Sequence, residues 1–178
     1  MIRLFAAIAI PFEIAEGLQR RQQGIPGARW RAEEQMHITL RFFGEVPEAA
    51  AAELDADLAG HAGEAFDLRL EGVGAFGEAT EVRAIWAGVA ASQPLSRLAA
   101  RCDKAARRAG LKPDPRAYRP HVTLAYLRHA DPARVGAWVQ EHNLLQSPPF
   151  RVDGFGLYSS WLSPDGSRHE LEREYPLT

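Results

Sequence analysis

Two four-residue runs, His37-Ile38-Thr39-Leu40 and His121-Val122-Thr123-Leu124, stand 84 residues apart in a chain of 178. The same offset carries Phe66 onto Phe150 and Gly72 onto Gly156 without a gap, and Pro47 and Pro132 follow the two runs one residue out of register. A repeat of this length constrains the fold strongly, because each copy is one supersecondary unit whose apolar face needs cover from elsewhere in the chain. With 6 His, 4 Thr and 18 Leu, chance produces two His-x-Thr-Leu runs with a probability well under about one in a thousand.

Hydrophobic periodicity fills in the units. Residues 2–9 alternate with a strand period, with Ile2, Leu4, Ala6 and Ile8 on one face and Arg3, Phe5, Ala7 and Ala9 on the other. Pro11 opens a helix over 11–23, ended by Gly24 and Pro26; a strand over 36–43 and a helix from Pro47 to about 60 follow. Strands at 65–73 and 81–89, a helix at 93–109, a strand at 120–127, a helix at 131–142 and strands at 149–161 and 168–176 complete the chain, with hairpin-turn chemistry at Ser163-Pro164-Asp165-Gly166. The order is β-α-β-α-β twice, then one further strand. It predicts a single α+β domain over residues 1–178, bilobal, with two antiparallel sheets related by the pseudo-repeat, helices on the outer faces and one His-x-Thr-Leu run in each lobe.

Charge and cysteine content bear on what such a domain can grip. Net charge is −2, with 21 basic and 23 acidic residues, whereas a protein that holds long nucleic acid by its backbone alone is normally basic. Nineteen of the basic residues are arginine and are spread along the whole chain, which reads as composition before phosphate chemistry. One stripe, Arg97, Arg101, Lys104 and Arg108, lies opposite the apolar face of the 93–109 helix and reads as a solvated face ahead of an RNA landing surface. Cys102 falls on that apolar face as a packed core thiol; a lone cysteine excludes an internal disulfide framework and a multi-thiolate zinc site. No apolar run approaches the roughly 20 residues of a membrane span, and Pro11-Phe12-Glu13 stands where a signal peptide needs a small-residue cleavage site. The expectation is a cytoplasmic protein without membrane contact.

Strand alternation assigns chemistry to the two runs. Met36, Ile38, Leu40 and Phe42 take the apolar face of the second strand, leaving His37, Thr39 and Arg41 on the other, while Val122 and Leu124 turn inward with His121 and Thr123 opposite them. Each lobe thus offers an imidazole and a hydroxyl on the face its own core does not use. With an unperturbed pKa of about 6.5, one imidazole can accept a proton while the other donates. Phosphoryl transfer needs both, and threonine hydroxyls can donate to the phosphate oxygens where charge develops. A metal site would require third and fourth ligands, and no HExxH run, cysteine pair or spaced carboxylate cluster accompanies these histidines.

The paired motifs resemble those of the two-histidine (2H) phosphoesterase superfamily. More closely, the chain is similar to the RNA 2′,3′-cyclic phosphodiesterases historically called 2′-5′ RNA ligases. The likeness runs through Arg3-Leu4-Phe5-Ala6-Ala7-Ile8, Arg29-Trp30, His37 to Glu45, Gly72-Val73-Gly74-Ala75-Phe76, Arg119-Pro120-His121-Val122-Thr123-Leu124 and Leu157-Tyr158-Ser159-Ser160. The resemblance implies a cleft between lobes, no metal or nucleotide cofactor, and hydrolysis of a terminal 2′,3′-cyclic phosphate on RNA, tRNA fragments among the candidates, to a 2′-phosphate. It implies His37 as general acid at O3′, His121 as general base on water, Thr39 and Thr123 on phosphate oxygens, and reverse 2′-5′ ligation without ATP. The expected state is a monomer. Rival readings are a sister phosphodiesterase for small cyclic nucleotides or 2′-5′ oligonucleotides, and a binder of RNA ends without turnover.

One position departs from the family pattern: Tyr126 stands where an arginine often follows the second motif. Alternation puts Tyr126 on the core side with Val122 and Leu124. Arg128, just beyond the strand, ranks first as the substitute cation and Arg41 second, with Arg119 beside His121 as a further substrate contact. Phe5 either stacks on a terminal base or packs between the lobes, and Trp30 reads as cover over the core. His61, His129, His142 and His169 carry no motif and read as surface residues.

Overall fold

The computed structural model describes residues 1–60 and 63–178; of the expectations above, the placement of His61 lies outside them. Among these residues ten strands and four α-helices run in the order β1 (Ile2–Ala9), α1 (Phe12–Gln19), β2 (Arg29–Trp30), β3 (His37–Val46), α2 (Glu48–Ala59), β4 (Phe66–Leu68), β5 (Leu70–Glu78), β6 (Glu81–Val89), α3 (Gln93–Arg108), β7 (His121–Tyr126), α4 (Pro132–His142), β8 (Phe150–Val152), β9 (Gly154–Ser163) and β10 (Gly166–Pro176). The helices begin where the chain supplies caps. Ser92 Oγ accepts from the Leu95 N–H at 3.2 Å with Pro94 in the first turn of α3, and Asp131 accepts from the Ala133 N–H at 3.0 Å ahead of Pro132 in α4. α3 buries Leu95, Leu98, Ala99, Cys102, Ala105 and Ala106 and stops at Gly110, whose φ of 80° is the left-handed geometry that favours glycine.

The strands form an antiparallel path β10-β9-β1-β3-β7-β6-β5, with β2 on β7, and β4 pairs with β8 in a second, two-stranded sheet. In the middle of the long path β3 meets β7 through Ile38 opposite Val122, so the path divides into two leaves, β10-β9-β1-β3 and β7-β6-β5. Ile38 and Val122 are related by the 84-residue offset. So are Asp67 and Arg151 at the centre of the small sheet, and the offset exchanges the pairs on either side of them, Phe66 with Val152 and Leu68 with Phe150. A pseudo-two-fold axis therefore passes through both junctions and exchanges β3 with β7, β4 with β8 and β5 with β9.

That axis corrects the picture of one sequence half per lobe. β5, from the first half, pairs with β6 in the second leaf, and β9, from the second half, pairs with β1 in the first. Each leaf takes a strand from both halves, so the two halves of the sequence cannot separate without breaking the β5–β6 and β1–β9 ladders. The expected strands 65–73 and 149–161 are each split, as β4 then β5 and β8 then β9, because the chain leaves the small sheet and enters the large one at Arg69 and Asp153. α1 is shorter than the expected 11–23, closing at Gln19.

Two β-bulges overturn strict alternation. In β3, Phe42 is 56% exposed while Phe43 is buried, the reverse of the expected facing, with a register shift against β1 between Leu4 and Phe5. In β7, Leu124 and Ala125 are both buried and Tyr126 is 46% exposed, with a register shift against β6 between Ile85 and Trp86. Tyr126 therefore lies on the open face and not, as alternation implied, in the core. The basic stripe of α3 divides: Arg97 and Lys104 are exposed, as expected of a solvated face, while Arg101 donates to the Leu58 carbonyl and Arg108 pairs with Asp57 at 3.1 Å, stapling α3 to α2. Cys102 is buried, and burial pushes its thiol up to about 12. Among the described residues, no helix is long and apolar enough to cross a membrane.

Candidate active site

The register at the junction places the two motifs in one constellation. With Ile38 opposite Val122, antiparallel counting sets His37 across from Thr123 and Thr39 across from His121, and alternation turns all four from the core that holds Ile38, Leu40, Val122 and Leu124.

Nδ1 of His121 lies 2.7 Å from the Arg119 carbonyl oxygen, and the backbone of Gln35, 84 residues before Arg119, favours the proton on His37. A carbonyl only accepts, so Nδ1 carries the proton and Nε2 of His121 is the atom free to take or give one at the cleft. Burial lowers both basicities. His37 is driven down to about 3, mainly by desolvation and then by His169, Arg31 and His121, while His121 is lowered chiefly by desolvation against the opposing pull of its hydrogen bond. Both rings are neutral near neutral pH in the unliganded protein.

The walls differ. Around His37 stand Phe5, stacked with ring centroids 5.0 Å apart, Tyr158 at 6.1 Å, and His169 edge-on at 5.3 Å. Around His121 stand Phe76 at 4.8 Å, edge to face, and Trp86 at 6.3 Å. A groove of about 950 Å³ leads away from His121, lined among others by Thr39, Phe42, Phe76, Arg116, Tyr118 and Arg119. Tyr118 donates its hydroxyl to the Thr39 carbonyl at 2.9 Å, tying residues 111–119 down onto β3.

Several expected contacts move. Phe5 is 2% exposed, with its faces taken by His37, Tyr158 and Phe42, so the place for a stacked base is closed; the ring is the floor beneath His37. Arg41 is committed to structure: its side chain is 9% exposed and donates to Asp103 at 3.0 Å and to the Phe42 and Lys112 carbonyls. Arg128 is exposed two residues past the end of β7, at the opposite end of that strand from His121. Arg119 does flank the groove, its guanidinium over the Phe76 ring at 5.3 Å. Trp30 packs against the core beside Trp138, as expected.

Two residues of the site went unnoticed in the sequence. His169, read as a surface residue, lies on β10 opposite Ser160 and against both His37 and Phe5. Arg31, just after β2, sits over the Tyr126 ring at 5.2 Å. Their signals were indirect. The Ser163–Gly166 turn fixes His169 opposite Ser160 and hence on the face of Tyr158, once β9 is known to lie beside β1. No local pattern marks Arg31. Among the described residues, no group of three or more His, Cys, Asp or Glu is arranged to hold a metal ion.

Comparison with known proteins agrees with this architecture. The RNA 2′,3′-cyclic phosphodiesterase of Archaeoglobus fulgidus is 29% identical over 168 residues, covering 93% of this chain and 94% of that protein. The protein of the same name from Methanocaldococcus jannaschii is 29% identical over 178 residues, covering 98% and 100%. The crystal structure of E. coli LigT complexed with 3′-AMP superposes with a TM-score of 0.81 at 27% identity, covering 99% of this chain and 98% of that one. The family model of the 2′-5′ RNA ligase superfamily matches residues 10–160, a span that contains both histidine motifs and the junction between them, and the chain belongs to that superfamily.

Proposed function

We propose that this protein hydrolyses the terminal 2′,3′-cyclic phosphate of RNA to a 2′-phosphate without a metal ion. The observation that carries the reading is the constellation at the Ile38–Val122 junction: two imidazoles and two threonines on one face, with His121 tied through the Arg119 carbonyl two residues back. The names of the curated relatives, RNA 2′,3′-cyclic phosphodiesterases, support the same reaction.

In this mechanism Nε2 of His121 removes a proton from water as the water oxygen attacks phosphorus. The bond from phosphorus to O3′ breaks, and His37 delivers its proton to O3′. Thr39 and Thr123 donate to the non-bridging oxygens, whose charge grows in the transition state. The proton gained by His121 and that lost by His37 balance, and exchange with solvent resets the pair. Because His37 is neutral in the empty site, the phosphodiester's own negative charge must raise its basicity: the substrate brings the acid into its working form. With an RNA 5′-hydroxyl in place of water the same steps form a 2′-5′ linkage: the 5′-oxygen bonds to phosphorus as the bond to O3′ breaks, and the steps run in reverse cleave that linkage.

A sister activity on a small cyclic nucleotide uses the same four residues. The open groove leading past Tyr118 and Arg119 favours a substrate with nucleotides beyond the reacting one. The deciding experiment is product analysis on an oligoribonucleotide ending in a 2′,3′-cyclic phosphate, in excess chelator. A 2′-phosphate product is expected. A 3′-phosphate product, turnover only with added metal, or binding without turnover overturns the reading.

A further inference from the structure

A phosphodiester brings a negative charge that two hydroxyls compensate only in part, and the arginines expected to supply the cation are elsewhere. Arg41 is consumed by Asp103 and two carbonyls, and Arg128 lies beyond the far end of β7. Arg31 is differently placed. β2 pairs with β7, Arg29 opposite Tyr126 and Trp30 opposite Ala125. Trp30 and Ala125 turn to the core, so alternation gives Arg29, Arg31 and Tyr126 the open face, the face of His121 and Thr123. The β7 bulge, which buries Leu124 and Ala125 in succession, is what brings Tyr126 round to it.

The Arg31 backbone is fixed before any ligand arrives. Its N–H donates to the Leu124 carbonyl at 2.8 Å, and the Gln22 side-chain amide bridges the carbonyls of Arg31 and Leu124 at 2.8 and 3.2 Å. Its guanidinium lies over the Tyr126 ring at 5.2 Å and, among the described residues, has no carboxylate or carbonyl partner. It is partly buried, and desolvation is the main cause lowering its basicity. Its charge also lowers His37 and His169, so its field reaches both rings. A part-buried guanidinium with five donors and no acceptor is a costly arrangement that an anion completes.

We propose that Arg31 is the phosphate-binding cation of this site, entering from the strand beside β7, and that Tyr126 is the seat on which its guanidinium stacks. The cation has been exchanged between neighbouring strands: the position usually held by arginine carries the aromatic platform, and the adjoining strand end carries the charge. This deepens the reading of the preceding subsection and rests on it for the identity of the anion as a cyclic phosphodiester.

The test reads turnover of the cyclic-phosphate oligoribonucleotide and, separately, the affinity for inorganic phosphate by calorimetry. Arg31→Met is expected to lower kcat/KM by about 10²-fold, the scale of one lost oxyanion donor, and to weaken phosphate at least about tenfold with its melting temperature kept. Arg128→Met is expected to match wild type in both. Moving the charge back, in Arg31→Met/Tyr126→Arg, is expected to recover most of the turnover, which repair of a merely structural defect would not do. Arg31→Gln serves if Arg31→Met fails to fold. Wild-type turnover and phosphate affinity in the folded single variant overturn the proposal. A wild-type protein that binds phosphate through Arg31 but turns over no cyclic phosphate overturns the reaction and leaves Arg31 as the anion site; loss of both in the wild type overturns both.

Discussion

His37 and His121 are equivalent under the pseudo-two-fold axis, each opening a strand at the junction, yet their surroundings are not equivalent. His37 rests on Phe5, a core residue 2% exposed, and is flanked by His169 and Arg31. His121 leans on Phe76, which is only partly buried, and borders an open groove. The axis supplies two matched proton carriers, and the walls make them different. One is packed among aromatic rings beside His169 and Arg31, which with desolvation hold its basicity down to about 3. The other borders the open groove, with Nδ1 held by the Arg119 carbonyl. Duplicated geometry with divided electrostatics is what an acid and a base of the same residue type require.

The strongest attempt to break the comparison is to remove each ring. His37→Ala and His121→Ala are each expected to lower turnover of a cyclic-phosphate RNA end by about 10²–10⁴-fold, the contribution of a positioned acid or base. The double variant should lose less than the product of the two losses, since the pair acts as a unit. Steady-state kinetics on folded variants check this; near-wild-type turnover in either single variant ends the assignment of that histidine.

A second effect falls on stability and separates the two walls. Phe5→Ala opens a cavity beneath His37 in a fully packed region, and a loss of about 3–5 kcal/mol is expected for such a buried ring. Phe76→Ala removes a ring already partly in water, and roughly 1–2 kcal/mol is expected. Urea unfolding of both variants measures the difference. Equal losses would mean that the two imidazoles stand on equally rigid ground.

Why these differences were hard to read in the sequence follows from where their causes lie. The 84-residue repeat was legible because it is a one-dimensional pattern, and strand alternation then turned His37, Thr39, His121 and Thr123 to a common face. Alternation failed at Phe42, Phe43 and Tyr126, where a bulge inserts one residue and inverts everything beyond it. The exchange of β5 and β9 between leaves was invisible because hairpin and alternation signals do not say which sheet a strand joins. His169 reaches the site only through β9 lying beside β1, and Arg31 through β2 lying beside β7, more than ninety residues on in the sequence. Arg41 misled for the opposite reason: its face was read correctly, but Asp103 and the Lys112 carbonyl come to it from α3 and the loop beyond.

The smallest expected effect concerns His169, which has no counterpart beside His121. After desolvation, His169 is the largest cause holding His37 down, and its own basicity is lowered by burial and by Arg31. The two rings are 5.3 Å apart between centroids, so the first to take a proton disfavours the second, and they titrate as a pair. His169→Asn removes that repulsion and is expected to raise the pKa of His37 without restoring the ordinary value, because desolvation remains. The sign carries over to stability. A histidine depressed on folding binds its proton in the unfolded chain first, so stability is lost as pH falls from about 6.5 toward the folded value of about 3 for His37. Above that window the contribution is flat. His169→Asn should therefore shallow the loss of melting temperature between pH 6.5 and 4 and leave it unchanged at pH 8. The C2 proton resonances of the histidines, followed through the same titration, report His37 directly. An unchanged His37 titration in a folded His169→Asn protein would mean that the asymmetry between the two imidazoles comes from desolvation and Arg31 alone.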